Sequence, residues 1–219
     1  MSAKLWAEIG LGIYETFYMT LASTLLGYVI GLPLGVILII TRRDGIRQNL
    51  AVNQVLGVIV NIMRSIPFLI LMIAIIPFTR FVMGKSYGST ATIVPLTMAA
   101  FPFISRMVES SLAEVDGGVI EAAQAMGATP MQIIRKVYIP EATPSLISGA
   151  AIVATNILGY SAMAGSVGGG GLGAIAINYG YYRFNAEVMV VCIAIMVVLV
   201  QAMQLVGTRL SVQLDHRLR

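Results

Sequence analysis

The chain has 219 residues, of which 58% are hydrophobic and 11% charged, with a mean hydropathy of +0.87. A soluble domain is about 45–50% apolar and about 25% charged, so the composition excludes a soluble globular protein and calls for several membrane spans of about 20 apolar residues each. The net charge of +4 belongs with the loops of a membrane protein and not with a nucleic-acid surface, because no basic run interleaves with aromatics; the single cysteine, Cys192, excludes an intrachain disulfide and a thiolate metal cluster.

Residues 1–10 lack the basic patch, short apolar core and small-residue cleavage site of a signal peptide, so the first apolar segment is expected to persist. That span covers about 11–40 and carries Gly27, Gly31 and Gly35, which let helices approach closely in a bilayer, with Pro33 as a kink point. A short basic turn at 41–49 follows. The apolar region 51–83 is too long for one span and is interrupted by Asn61, Arg64, Ser65 and Pro67. Residues 51–63 read as an interfacial or membrane-entering helix, and 66–81 as the main span. A third span covers about 91–108, with Pro95 and Pro102 inside it; a polar segment occupies 112–140; a fourth span covers about 143–167. The run Gly168–Gly171 lacks the Lys-Ser/Thr of a phosphate-binding loop and reads as a flexible hinge or loop. A fifth span covers about 186–206, and a basic tail from Arg209 to Arg219 includes the only histidine, His216, as a solvated residue.

Five spans place the termini on opposite sides. With the N-terminus outside, nine basic residues (Arg42, Arg43, Arg47, Arg106, Arg135, Lys136, Arg209, Arg217, Arg219) face the cytoplasm and four (Lys4, Arg80, Lys85, Arg183) face out, Arg64 being unassigned. This asymmetry selects that orientation and puts the polar segment in the cytoplasm. The whole of 1–219 reads as one all-α transmembrane domain, without a 20–50-residue repeat.

The polar segment carries the functional signal. Asp116 is an N-cap; Val119, Ala122, Ala123 and Met126 fall on one stripe of a short helix; Gly127 suits a left-handed C′ position; and Thr129-Pro130-Met131-Gln132 starts a second helix with a capping box. Pro140 and Pro144 are expected to end that helix and return the chain to the bilayer. A compact, small-faced helical knob outside the bilayer suits rigid docking to a partner, whereas an amphipathic helix lying on lipid usually carries bulky apolar residues and many lysines. No nucleotide-binding motif occurs in the chain, so any ATP must be hydrolysed elsewhere.

Glu121-Ala122-Ala123, then Gly127, then Val137-Tyr138-Ile139-Pro140 resembles the EAA loop of ABC importer permeases, with Val137 and Ile139 departing conservatively from the family's Ile and Leu. Stretches 61–68, 93–97, 102–109, 125–133 and 159–163 extend the likeness over nearly the whole chain, to the methionine-uptake permeases of that family. The resemblance implies a type I importer permease fold of five transmembrane helices with a cytoplasmic coupling helix. It implies that Glu121, Ala122, Ala123, Met126, Gly127, Ala128 and Thr129 dock on an ATPase subunit. The partners it implies are a second copy of the chain, two ABC ATPase subunits holding ATP and magnesium, and an extracytoplasmic methionine-binding protein, all at a bacterial cell membrane; the chain itself holds no cofactor and is a transport subunit, not an enzyme.

Within the fourth span, Tyr160, Ser161 and Met163 form either a constriction on a translocation pathway, with Met163 facing the pore, or ordinary helix packing. Asn156 is a pathway polar group or an interhelical hydrogen bond, the latter preferred. Arg64 is either a functional intramembrane charge or, the favoured reading, an interfacial arginine that snorkels or pairs with Glu109. The rival functions are an ion-coupled secondary amino-acid carrier, which needs a titratable relay inside the membrane, and a membrane enzyme, which needs a nucleophile-base pair or a metal cluster. The acidic residues fall at span ends or in loops, which weighs against the first, and no convincing set of groups supports the second.

Overall fold

The protein was analysed as a computed structural model that describes residues 3–214; His216, Arg217 and Arg219 lie outside the described residues. All regular elements among the described residues are helical. The frame is made by α1 (Ala3–Thr41) and α5 (Ser89–Ala113), which lie against each other over much of their length. Their approach depends on glycine. A Cβ at Gly27, Gly31 or Gly35 would lie 2.6–2.9 Å from Ala100, Ile104 and Val108 side chains or from the carbonyl oxygens of Phe101 and Ser105. In a bilayer such backbone-level packing is a principal source of helix association, because burying apolar side chains gains little against lipid. Ile39, Leu96, Ile104, Val108 and Leu112 fill the core behind this seam.

The helix α2 (Leu50–Ser65) starts at Asn49, whose side chain accepts the Val52 N–H at 3.2 Å. It stops before Pro67, which holds Ile66 in an extended conformation (φ −80°, ψ 122°). Then come α3 (Phe68–Ala74) and α4 (Ile76–Met83), the latter closed by Gly84 in the left-handed region. The stretch expected as one span over 66–81 is therefore two helices of 7 and 8 residues, each too short to cross a membrane. The pair α2 and α3, bent by 100° at the Ile66–Pro67 break, is together long and apolar enough for a broken span or a re-entrant loop.

After the polar segment, α6 (Gly117–Ala125) and α7 (Pro130–Ile133) lead through a π-helical turn over residues 134–138 into α8 (Ile139–Ala164). Pro140 and Pro144 do not end a helix, contrary to the sequence expectation. A proline cannot donate to the preceding turn; the wider turn, in which the Ile139 N–H reaches the Ile134 carbonyl, changes the hydrogen-bond register just before Pro140 and keeps the path helical. Residues 130–167 thus count as one candidate span. Among the described residues, that stretch, α1, α5 and α9 (Ala186–Leu214) are long and apolar enough to cross a membrane, and the bent pair counted as one span brings the number to five.

The glycine run is not a loose hinge. Gly168, Gly170 and Gly171 have φ of 84°, 81° and 72°, and the strand of backbone they form is pinned on two sides. The Gly88 N–H donates to the Gly168 carbonyl (2.8 Å), the Gly171 N–H to Glu15 Oε2 (2.7 Å) and the Leu172 N–H to Thr16 Oγ1 (2.9 Å). Glycine is needed here for left-handed angles and close approach, not for mobility.

Replacing Gly31 by Val forces apart two packed backbones, so the variant should lose about 1–3 kcal/mol of stability. Denaturation of the purified protein in detergent reads this as a lowered midpoint, whereas Gly10→Val, where a Cβ meets no atom within 4 Å, should leave it nearly unchanged.

Candidate functional site

The knob is built as its sequence dictates. The Asp116 carboxylate accepts the Gly118 N–H at 2.6 Å and caps α6. At the other end Gly127 takes φ 79°; its N–H donates to the Gln124 carbonyl (2.9 Å), and the Ala128 N–H to the Ala123 carbonyl (3.1 Å). This is the paired closure that a left-handed C′ residue permits. Thr129 and Gln132 then cap each other: the Thr129 N–H donates to Gln132 Oε1 (2.8 Å) and the Gln132 N–H to Thr129 Oγ1 (3.4 Å). Two helices joined by a doubly bonded elbow leave little freedom between them.

The stripe of Val119, Ala122, Ala123 and Met126 is divided between two faces. Ala123 turns inward, with Ile120 beside it, and joins the core cluster through Val115, Ile133 and Tyr138. Val119, Ala122 and Met126 point out, with Glu121 among them, and Met131 extends the apolar surface onto α7. Met126 is 81% exposed. With Val119, Ala122 and Met131 it makes a small apolar face beside the elbow, of a kind that suits a protein contact. Beside it lies an open cavity of about 370 Å³ lined by Ala123, Met126, Gly127, Ala128, Gln132 and Lys136. A Cβ at Gly127 would meet nothing within 4 Å, so the left-handed backbone alone restricts that position.

The second group of candidate residues lies on α8. Ile152, Asn156, Gly159 and Met163 are exposed and recur every three or four residues, which makes one continuous stripe. The Asn156 side chain donates to the Ile152 carbonyl of its own helix (3.0 Å), so the preferred reading, an interhelical hydrogen bond, does not hold in this chain. Ser161 is buried and donates to the Leu158 carbonyl (2.7 Å), off the exposed stripe. Tyr160 is half-buried and stacked on Phe68 of α3, with ring centroids 4.7 Å apart. The structure thus brings Asn156 and Met163 to one surface, sets Tyr160 beside it and turns Ser161 away.

A polar cluster joins α2 to α5 that the sequence reading did not identify. Arg106 donates to Glu109 Oε2 (2.6 Å), to the Gly57 carbonyl (3.1 Å) and to Asn61 Oδ1 (3.0 Å). The available signal was the Arg-Glu pair three residues apart within an apolar run, a spacing that places both on one helix face. Glu109 is therefore engaged by Arg106 and not by Arg64, whose guanidinium lies 5.8 Å from the Phe103 ring centroid. Among the described residues no group of three or more metal-binding side chains occurs. Docking at the knob and passage along the α8 face are what these groups suit.

The sequence pattern of the binding-protein-dependent transport system inner membrane components matches residues 19–219, and the chain belongs to that family. It is 50% identical over 204 residues to the probable D-methionine transport system permease protein MetI of Vibrio cholerae, covering 93% of this chain and 91% of the relative. It is 54% identical over 154 residues to the D-methionine transport system permease protein MetI of Escherichia coli, covering 70% and 71%. A solved inward-facing structure of the MetNI methionine ABC transporter superposes with a TM-score of 0.97 at 49% identity, over 99% of this chain and all of that one. An amino acid ABC transporter solved with histidines shares the fold, with a TM-score of 0.79 at 19% identity over 96% and 95% of the two chains.

Thr129→Ala removes one half of the reciprocal cap and should cost about 1 kcal/mol of local stability. Hydrogen exchange at the amides of residues 131–133 should quicken, while exchange in α5 stays unchanged.

Proposed function

We propose that the chain is the permease subunit of an ATP-driven ABC importer that carries methionine into the cell. The observation that carries this reading is the rigid knob with its exposed apolar face, joined by an uninterrupted helical path to the exposed stripe of α8. The substrate assignment is supported by the relatives named for D-methionine transport, which this chain matches over most of its length. The ion-coupled carrier has no comparable support.

In this reading two copies of the chain pair with their α8 stripes toward a shared axis, since one copy leaves that stripe open. Two ABC ATPase subunits, which hold ATP and magnesium, receive the two knobs at Val119, Ala122, Met126 and Gly127. Because Ile133 and Tyr138 are buried at the base of the knob, a displacement of the elbow passes into α8 as a rigid-body motion and reaches Met163 near its far end. Met163 and Tyr160 then narrow or open the path. An extracytoplasmic methionine-binding protein delivers substrate at the opposite end of the bundle. The knob faces the cytoplasm, with the N-terminus outside, in keeping with the excess of basic residues at that end.

Vesicles containing the chain together with its ATPase and binding protein should take up methionine only when ATP is present. Uptake by the chain alone, driven by a proton gradient, would overturn the reading. Gly127→Val strains the elbow by of order 1–2 kcal/mol; co-purification of the ATPase subunit should fall while membrane insertion is kept, and full ATP-driven uptake in that variant would show that the knob is not the coupling element.

A further inference from the structure

Arg64 occupies a costly position that nothing in the chain explains. It sits in the last turn of α2, two residues before Ile66 of the Ile66–Pro67 break, and its side chain is exposed. Phe103, over which its guanidinium sits, lies 14 residues from the start of α5 and 10 from its end. At 1.5 Å per residue this is about 21 Å and about 15 Å from the two ends of the helix. A hydrocarbon core is about 30 Å thick, and Phe103 falls within the span expected over 91–108, five residues from its cytoplasmic end, so the guanidinium lies inside the spanning stretch. An exposed arginine inside a span faces a watery route, pairs, or reaches toward the interface, and intramembrane charges commonly mark a transport path.

Among the described residues no carboxylate pairs with Arg64. Arg106, one turn further along α5, engages Glu109 and Asn61, and the other described carboxylates lie toward helix ends or in loops. Arg64 is left with the face of Phe103, a cation–π contact that orients the guanidinium without neutralising it. Beyond the break, the buried Phe68 of α3 stacks on Tyr160 beside the α8 stripe.

We propose that Arg64, seated over the Phe103 ring at the break between α2 and α3, is a transient site for the carboxylate of the amino acid in transit, with the partly exposed Phe103 and Tyr160 rings offering apolar surface to its side chain. The site rests on the importer reading above and adds to it a point of contact within the membrane. A guanidinium donates two parallel hydrogen bonds to a carboxylate. In an aqueous path that contact is weak, which suits a step that must release its cargo.

The test uses the reconstituted complex with ATPase and binding protein, in which Arg64→Cys is treated with a cationic aminoethyl or an anionic sulfonatoethyl methanethiosulfonate, with the unsubstituted complex treated in parallel. Untreated Arg64→Cys should take up methionine about tenfold more slowly, the order expected when one charge-assisted contact is lost, while its binding-protein-stimulated ATP hydrolysis continues. The cationic reagent should restore uptake and the anionic one should not. Restoration by both reagents, resistance of the introduced thiol to both, or uptake at the unsubstituted rate without treatment would each overturn the proposal and leave the importer reading standing. Absence of ATP-driven methionine uptake by the unsubstituted complex would overturn both. Should Arg64→Cys not assemble, Arg64→Lys and Arg64→Gln decide: retention of uptake by Lys and loss by Gln supports the site, and equal uptake by the two refutes it.

Discussion

A helix that passes through a proline without breaking holds the functional parts together. Pro140 lies between a docking surface and a candidate pathway, where an interior proline ordinarily kinks or breaks a helix at a cost of about 3 kcal/mol. The π-helical turn at 134–138 moves the disruption into a wider hydrogen-bonded turn, and residues 130–164 stay mechanically continuous. At 1.5 Å per residue that path is about 50 Å long. A break at Pro140 would let the knob tilt without moving α8; the continuous path couples the two.

A lever of that length needs a fixed frame. The glycine seam between α1 and α5 supplies one, because backbones in direct contact cannot slide past intervening side chains. The glycine turn after α8 supplies the other constraint. Its amides are held by Glu15 and Thr16 of α1 and its carbonyls by Gly88 and Thr92 at the start of α5. The far end of the lever is thus tied to the same two helices that form the frame. In the proposed reading, motion entering at the knob is confined to how α8 moves against that frame, and packed elements of this kind switch between discrete arrangements and do not bend gradually.

Much of the knob was legible in the sequence because its geometry is set by local chemistry. Asp116, Gly127, Thr129 and Gln132 each act on backbone groups within a few residues, so their pattern can be read without knowing the fold. The all-helical class and the span at 91–108 were legible for a similar reason: hydropathy is a local sum. What failed depended on context. Proline was read as a terminator at 140 and 144, since nothing local shows that the preceding turn will widen. The glycine run was read as slack, since its partners Glu15 and Thr16 are more than 150 residues away. The inward turn of Ala123 and Ser161 likewise depends on neighbours that periodicity cannot supply. The pairing of Arg106 with Glu109 was local and readable, and with it the isolation of Arg64 could have been inferred.

That isolation bears on how polar groups are placed along the bundle. Arg106 is surrounded by three acceptors and serves to clamp α2 against α5. Asn156 satisfies its amide within its own helix and leaves its carbonyl oxygen on the exposed α8 face. Ser161 spends its hydroxyl proton on its own backbone. Polar side chains of the bundle are thus mostly committed to holding structure, and a path with few uncommitted groups binds its cargo loosely. Loose binding is compatible with selective import when recognition occurs before entry, on a separate binding protein, and the conduit has only to let the cargo leave. Any tight site inside the bundle would have to be undone in each cycle, at the expense of the motion that the proposed coupling through the knob would deliver.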